Sequence, residues 1–131
     1  MGGKTGEKGE IGSLGEGIAC EYLVNRGFLI LARNHRERFD EIDIIAKSPL
    51  GMIIFLEVKT MKKQDNQIFQ VLKPEDNLSA EKYRKVSRAC ELFVGKHPDL
   101  IGEDVGWRID LLAVSLDLGR RIAEVRHYKN I

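Results

Sequence analysis

Cysteines and long hydrophobic runs are scarce in this sequence, and both absences narrow the classes of protein to consider. Cys20 and Cys90 are the two cysteines of the 131-residue chain, and their separation matches no metal-binding motif. Both lie in predicted helices, so we expect them to be reduced and structural. No apolar run approaches the roughly 20 residues of a membrane helix, and residues 1–10 lack the apolar core of a signal peptide. We therefore expect a cytoplasmic protein without a membrane partner.

The sequence also lacks the short motifs of several common enzyme classes. It contains no internal repeat, no Cys/His zinc pattern, no glycine-rich nucleotide fingerprint and no serine-elbow motif. Its length, with 31% charged and 43% hydrophobic residues, is typical of one globular domain with one core. The arrangement of carboxylates and lysines is therefore the main functional signal.

The net charge of +1 does not by itself indicate nucleic-acid binding, but the charges are unevenly distributed. Residues 59–90 contain eight Lys or Arg and four acids, whereas residues 91–110 contain five acids and two bases. This segregation is compatible with a basic face along a phosphate path and an acidic face away from it. An ordinary solvated helix surface gives the same pattern, so both interpretations stay open.

Two apolar runs, residues 41–46 and 52–59, are typical of the two strands of a β-hairpin. The intervening loop Pro49-Leu50-Gly51 suits a type I turn that is closed by a glycine in the left-handed conformation. Such a turn sets the register, with Ser48 facing Met52. Counting back from the turn, Asp43 then lies opposite Glu57.

Three charged side chains come together in that register. Asp43 and Glu57 are cross-strand neighbours, with Cβ atoms roughly 4.5 to 5.5 Å apart. Lys59 shares the face of Glu57, whereas Val58 points to the other face, because strand side chains alternate. A divalent cation would remove the repulsion between the two carboxylates, and Mg²⁺ commonly adds a substrate phosphate to such oxygens. Lys59 would then orient or deprotonate an attacking water, or neutralise charge on the phosphate.

The same residue types are also common as solvent-facing decoration of edge strands. Here, however, the carboxylates interrupt long runs of Ile, Phe, Leu and Val, where a polar group is costly unless it is paired or liganded. That context favours a site.

The remaining pattern predicts an α/β fold with a central mixed five-stranded sheet flanked by helices. Helices are predicted over residues 10–25 and 79–95, and further strands over residues 28–36, 106–116 and 120–128. A crossover helix permits parallel strand pairing, which a pure meander does not. We expect residues 1–9 to be disordered and residues 10–131 to form a single domain. In the last hairpin, a three-residue loop predicts an ion pair between Asp110 and Arg126.

The first helix has two candidate buried faces. The apolar stripe is predicted to bury it, and the adjacent flank of small residues predicts close approach to a neighbouring backbone. Glu16 lies at the margin of the flank and faces either the sheet or water. The stripe contains Ile11, Leu14, Ile18 and Tyr22, and the flank contains Gly12, Gly15, Ala19 and Leu23.

Basic residues near the hairpin are candidate nucleic-acid contacts. The polar stretch 61–77 lacks periodicity and is long enough to be a functional loop, with Lys62 and Lys63 at its base. In the second predicted helix, Lys82, Lys85 and Arg88 recur at three-residue steps. Such a row is either solvent decoration or a set of cations presented to successive phosphates.

The motifs in this chain are similar to those of one family over residues 12–127. The segments are the helix motif Gly12-Ser13-Leu14-Gly15-Glu16, the strands at residues 27–34 and 41–46, the most specific segment Phe55-Leu56-Glu57-Val58-Lys59-Thr60, and the later Arg108-Ile109-Asp110 and His127. On these residues the chain resembles the YraN-like family of small bacterial and archaeal proteins. By its motif, that family belongs to the restriction-endonuclease-like PD-(D/E)xK nuclease superfamily.

The resemblance implies a metal-dependent endonuclease that hydrolyses phosphodiester bonds in DNA, including branched or damaged DNA. It makes Asp43, Glu57 and Lys59 the catalytic set and Glu16 an additional helix carboxylate near the metal. It also implies that Asp43, Glu57 and the carbonyl oxygen of Val58 bind Mg²⁺ or Mn²⁺. Subunits of such nucleases often pair, so a homodimer is a further expectation.

The chain departs from the family pattern at three places outside the central set. Asp40 replaces the usual glycine before Glu41, Met61 replaces the usual arginine after Thr60, and residues 128–131 lack the usual Asn-Ala-Phe ending. These departures concern substrate contacts more than the metal site.

Two further functions are compatible with the sequence. One is a non-catalytic nucleic-acid-binding module that keeps the nuclease fold, and the other is a protein-interaction domain whose carboxylates are structural. The first predicts salt-dependent DNA binding without strand scission. The second predicts neither DNA binding nor a rise in melting temperature with divalent metal.

Overall fold

The computed structural model of the protein describes residues 7–62, 78–102 and 104–131. The elements follow in the order α1 (Glu7–Asn25), β1 (Leu29–Arg36), β2 (Glu41–Lys47), β3 (Ile53–Lys62), α2 (Ala80–Lys96), a 3-10 turn (Pro98–Leu100), β4 (Trp107–Asp117) and β5 (Ile122–Tyr128). Helix α1 begins three residues earlier than predicted, and residues 1–6 of the expected disordered segment lie outside the described residues.

The five strands form one mixed sheet in the order β1-β2-β3-β4-β5. Strands β3 and β4 are parallel, and the other neighbouring pairs are antiparallel. The parallel pair requires a crossover connection, and α2 lies within it. Helix α1 packs on one face of the sheet and α2 on the other. This architecture confirms the predicted α/β fold with a five-stranded mixed sheet flanked by helices.

Strand β3 has a core layer on each face. Ile54 and Leu56 pack with Ala19 and Leu23 of α1. The alternate residues of β3 pack against α2, in a layer that contains Ile53, Phe55, Val86, Ala89, Cys90 and Phe93. Because both faces are covered, the strand is an unbroken apolar run up to Glu57, as is typical of a central strand.

Helix α1 buries its small-residue flank more deeply than its apolar stripe, which packs only partly against the core. Ala19 and Leu23 have no exposed surface, whereas Leu14 is 47% exposed. Gly15 explains this orientation, since a Cβ atom at that position would lie 1.8 Å from Thr60 Oγ1 of β3. The predicted close approach is therefore confirmed at Gly15. Ile18 and Tyr22 pack only partly against the core.

Helix α2 begins within one residue of its predicted start. Ser79 is its N-cap, and Ser79 Oγ accepts a hydrogen bond from Lys82 N at 3.1 Å. Cys90 is buried in the helix interface and Cys20 of α1 is half-buried, both as free thiols. Neither of the described helices is both long and apolar enough to cross a membrane.

The register of the last hairpin differs from the prediction. Asp117 pairs with Ile122, so the loop contains residues 118–121, one residue more than expected. Arg121 takes a left-handed conformation with φ 55° in this loop. Arg126 consequently pairs with Ala113, and the predicted ion pair between Asp110 and Arg126 is wrong.

Asp110 instead anchors the C-terminal segment. Its carboxylate is fully buried and lies 2.8 Å from Arg108 Nε and 2.7 Å from His127 Nε2. The backbone N–H of Asn130 donates to the same carboxylate at 2.8 Å. Burial alone would raise the pKa of Asp110, but the hydrogen bonds from His127, Arg108 and Asn130 hold that pKa below its usual value. The ionised carboxylate therefore joins β4 to the end of the chain.

Replacing Gly15 with alanine is expected to destabilise the protein, although alanine is the better helix former. The new Cβ atom would meet Thr60, so α1 would have to move away from β3. Gly17→Ala is the matched control, because a Cβ there meets nothing within 4 Å, and it should stabilise the helix by about 1 kcal/mol. Urea denaturation measures both. Equal stabilisation by the two substitutions would contradict the close approach.

Asp110→Asn is expected to lower the free energy of unfolding at neutral pH by about 3 to 5 kcal/mol, as for other broken buried ion pairs. The folded-state pKa of Asp110 is lowered, so its contribution is present above the unfolded-state pKa and is lost as pH falls through the folded-state pKa. The variant should therefore lose less stability than the wild type on acidification. Thermal unfolding between neutral and acid pH tests this, with the exposed Asp99→Asn as control. Parallel curves for wild type and Asp110→Asn would refute it.

Candidate functional site

The β2–β3 hairpin has the predicted turn and register. Ser48 N donates to Met52 O at 2.8 Å, and Gly51 has φ 91°. Ile44 pairs with Leu56, and the pairing continues regularly to the turn. Continued by one residue, this register would place Asp43 across from Glu57, but the observed pairing ends at Ile44 and Leu56.

The two strands separate just beyond the pair of Ile44 and Leu56, where the ladder ends. Asp43 Oδ2 accepts a hydrogen bond from Val58 N at 2.8 Å. A side-chain carboxylate thus binds a backbone N–H that an antiparallel ladder would pair with a carbonyl oxygen. This bond holds the Asp43 carboxylate beside the backbone of β3.

Glu57 is the adjacent acid and is 6% exposed. Its Oε1 atom has no hydrogen-bond partner among the described residues. Burial and the neighbouring charge of Asp43 raise the pKa of Glu57 to about 9, and a hydrogen bond between the two carboxyl groups acts in the same direction. An ionised Glu57 is therefore costly unless a proton or a cation neutralises it.

An ion pair that was not predicted from the sequence lies next to Asp43 and Glu57. Lys82 Nζ of α2 donates to Asp40 Oδ2 at 2.6 Å. Partial burial lowers the pKa of Lys82, but the hydrogen bond to Asp40 and the charges of Glu57 and Asp43 outweigh it, so the pKa is raised. The only sequence signal was that Asp40 departs from the family pattern. The predicted phosphate contact of Lys82 stays a prediction.

A cleft of about 290 Å³ opens between α1 and the far part of β3. Four of the predicted site residues line it: Glu16, Asp43, Val58 and the exposed Lys59. Glu57 approaches Asp43 from the α2 side and is not among the described lining residues. The other lining residues are Ile11, Gly12 and Thr60.

Glu16 faces the sheet, which answers the question that the sequence left open. It is 5% exposed, and the amide of Asn34, oriented to donate, lies 2.9 Å from Glu16 Oε1. The same amide nitrogen lies 3.0 Å from Glu41 Oε1. Asn34 has φ 50°, a left-handed conformation that is uncommon for a residue other than glycine. Its amide thus joins the acid on α1 to the acid at the start of β2.

The structure describes two of the other predicted nucleic-acid contacts, Lys62 and Lys85. Lys62 is exposed at the end of β3. Lys85 is exposed on α2, with Nζ 3.6 Å from Glu81 Oε1. Lys63 and the remainder of the predicted loop through residue 77 lie outside the described residues. A nucleic-acid role for these lysines stays a prediction.

The donor set suits a magnesium site that is completed by substrate or water rather than a closed protein cage. Among the described residues, no group of three or more His, Cys, Asp or Glu side chains could hold a metal ion. Asp43 and Glu57 instead offer two adjacent carboxylates, one of which has an unpartnered buried oxygen. Sites that bind Mg²⁺ through one or two carboxylates and substrate phosphates have this composition.

Comparisons with known proteins cover most of the chain. The model of the Uncharacterised protein family UPF0102 matches residues 15–114, which include Glu16, Asp43, Glu57 and Lys59. The chain belongs to this family. The UPF0102 protein of Desulforamulus reducens is 32% identical over 120 residues, covering 92% of this chain and 93% of that protein. The UPF0102 protein of Mycolicibacterium vanbaalenii is 34% identical over 128 residues, covering 97% of each chain. Membership of the UPF0102 family confirms the resemblance to YraN-like proteins.

Glu57→Gln is expected to raise the melting temperature of the metal-free protein at neutral to alkaline pH, by on the order of 5 °C. The folded-state pKa of Glu57, about 9, lies above its ordinary value, so wild-type stability declines as pH rises toward that pKa. Glutamine carries no charge and can donate its amide to Asp43. The gain should therefore grow from acid to alkaline pH. Thermal unfolding in EDTA measures it.

Glu91→Gln, which alters an exposed carboxyl of α2, is the control and should leave the pH profile unchanged. A Glu57→Gln variant that is less stable than the wild type throughout this pH range would show that the buried acid is not a source of strain.

Proposed function

We propose that this UPF0102 protein is a magnesium- or manganese-dependent endonuclease that hydrolyses phosphodiester bonds in DNA. The observation that carries the proposal is the pair of adjacent carboxyl groups of Asp43 and Glu57, of which Asp43 lines an open cleft. Glu57 is buried with an unpartnered oxygen beside Asp43, an arrangement that is costly for stability. A bound divalent cation would compensate both carboxylates.

Asp43 and Glu57 would hold the ion, together with the carbonyl oxygen of Val58. The hydrogen bond from Val58 N orients Asp43 before any ligand binds, which reduces the cost of assembling the site. When bound there, the ion would act as a Lewis acid that makes water a better nucleophile and stabilises charge on the phosphate.

Lys59 is the cationic side chain among the described residues that line the cleft, and it would contact the scissile phosphate. Its ammonium group would neutralise charge that develops on the phosphate oxygens, or orient the attacking water. Glu16 lines the same cleft and would accept hydrogen bonds from that water, while the Asn34 amide keeps its carboxylate directed at the sheet. Lys62, Lys63, Lys82 and Lys85 would contact the DNA backbone on either side.

Cleavage of supercoiled and branched DNA, with and without Mg²⁺ or Mn²⁺, tests the proposal. We expect metal-dependent scission by the wild type, and a loss of about 100-fold or more in Lys59→Ala, the size of effect seen when a transition-state charge partner is removed. Lys47→Ala is the matched control, because Lys47 is an exposed lysine at the opposite end of β2. It should cleave as the wild type does.

Equal activity in the wild type and Lys59→Ala would identify a contaminating nuclease and refute the proposal. A metal-dependent rise in melting temperature with DNA binding but no scission would identify a non-catalytic nucleic-acid-binding module instead.

A further inference from the structure

The turn between β1 and β2 presents an aromatic ring with two guanidinium groups beside it. Phe39 is 40% exposed in this turn. The guanidinium carbons of Arg38 and Arg88 lie 5.6 Å and 5.4 Å from the centre of its ring. Both distances are within the range for cation–π attraction. We refer to Phe39, Arg38 and Arg88 as the Phe39 platform.

The charges of this platform are available to a ligand. Arg38 and Arg88 are both exposed, and no ion pair joins either of them to a carboxylate among the residues that the structure describes. Lys82 and Lys85, on the same helix as Arg88, each have an acidic partner. The Phe39 platform therefore combines an exposed π-face with two cations that no described acid neutralises, which are the groups that bind unpaired bases and their phosphates.

The platform lies at the end of the sheet that contains the candidate site. Asp40, the next residue after Phe39, forms the ion pair with Lys82, whose charge in turn acts on Glu57. Asp43 follows Phe39 by four residues, so their Cα atoms are at most about 14 Å apart. That span corresponds to about four steps of a stacked nucleic-acid strand at 3.4 Å each.

We infer that the Phe39 platform binds an unpaired nucleobase of the DNA substrate by stacking, with Arg38 and Arg88 contacting the adjacent phosphates. This inference rests on the proposed function and narrows its substrate class. A base within a duplex is already stacked on its neighbours and must leave the helix to reach a protein ring. The substrate is therefore DNA with a single-stranded or unpaired segment next to the cleaved bond.

A competing explanation is that Phe39 and Arg88 only attach the turn to α2. The two roles place different chemical requirements on the side chain at position 39. Stacking on a base needs an aromatic face, whereas an apolar attachment tolerates a leucine of similar size. Phe39→Leu and Phe39→Trp therefore separate the roles, since one removes the aromatic face and the other enlarges it.

The test measures the binding of a fluorescein-labelled oligothymidylate and of a duplex of the same length by fluorescence anisotropy. Ca²⁺ replaces Mg²⁺, and a denaturing gel checks that the DNA stays intact. We expect Phe39→Ala and Phe39→Leu to weaken single-strand binding by about tenfold, with little effect on the duplex. Phe39→Trp should bind the single strand at least as tightly as the wild type. Arg88→Ala should weaken the binding of both the single strand and the duplex. It should also reduce the slope of log affinity against log salt concentration by about one.

Arg26→Ala and Leu50→Ala are matched controls. Arg26 also lies over an aromatic ring, that of Tyr22 at 3.8 Å, and Leu50 is 91% exposed. Both are near the β2–β3 turn, at the opposite end of the sheet from Asp43, and should bind DNA as the wild type does. The melting temperature of each variant confirms that it is folded.

If the wild type binds the single strand and Phe39→Leu binds it equally well, whatever Phe39→Ala does, the inference is overturned while the proposed nuclease stands. If the wild type binds only the duplex, the inference is likewise overturned and the proposed nuclease stands. If the wild type binds neither DNA, the inference and the proposed function both fail.

Discussion

The hydrogen bond from Val58 N to the Asp43 carboxylate lies where the regular pairing of β2 with β3 ends and the candidate site begins. On the turn side of this bond, β2 and β3 form a regular ladder with core layers on both faces. Beyond it, the strands separate and the cleft beside α1 opens. A short acidic side chain can end a ladder in this way because it supplies its own acceptor and leaves no backbone N–H unsatisfied. The position of the other groups follows from this separation.

Charge balance is the second constraint on this region. Asp40, Asp43 and Glu57 lie close together, and Lys82 compensates only part of their charge. Two other buried acids among the described residues have cationic partners: Asp110 lies with Arg108 and His127, and Glu37 lies with Lys96 and His35. Glu57 differs from these two acids because its Oε1 atom is buried and has no hydrogen-bond partner among the described residues. Such local cost is tolerated where it serves a function.

The predictions from sequence succeeded where a local rule sets the geometry. The Pro49-Leu50-Gly51 turn determines the hairpin register over a few residues, and Ser79 determines the start of α2 by capping it. They failed at the β4–β5 loop, where the residue types did not reveal the conformation of the turn. The β4–β5 loop has four residues because Arg121 adopts a left-handed conformation, which its residue type does not predict. The small residues of helix α1, in contrast, correctly predicted its close approach to the sheet, where Thr60 of β3 leaves no room for a side chain at Gly15.

The amino-acid sequence alone therefore determined the strands and helices, the five-stranded α/β fold and the register of the β2–β3 hairpin. Each of these depends on side-chain alternation and turn chemistry between near neighbours. Tertiary packing was needed to bring Lys82 to Asp40, Glu16 to Asn34, and Arg88 to Phe39. These contacts join residues from different elements, and their distances depend on how closely each helix lies on the sheet. Neither the periodicity of the sequence nor the spacing of its motifs encodes the distance between a helix and the sheet.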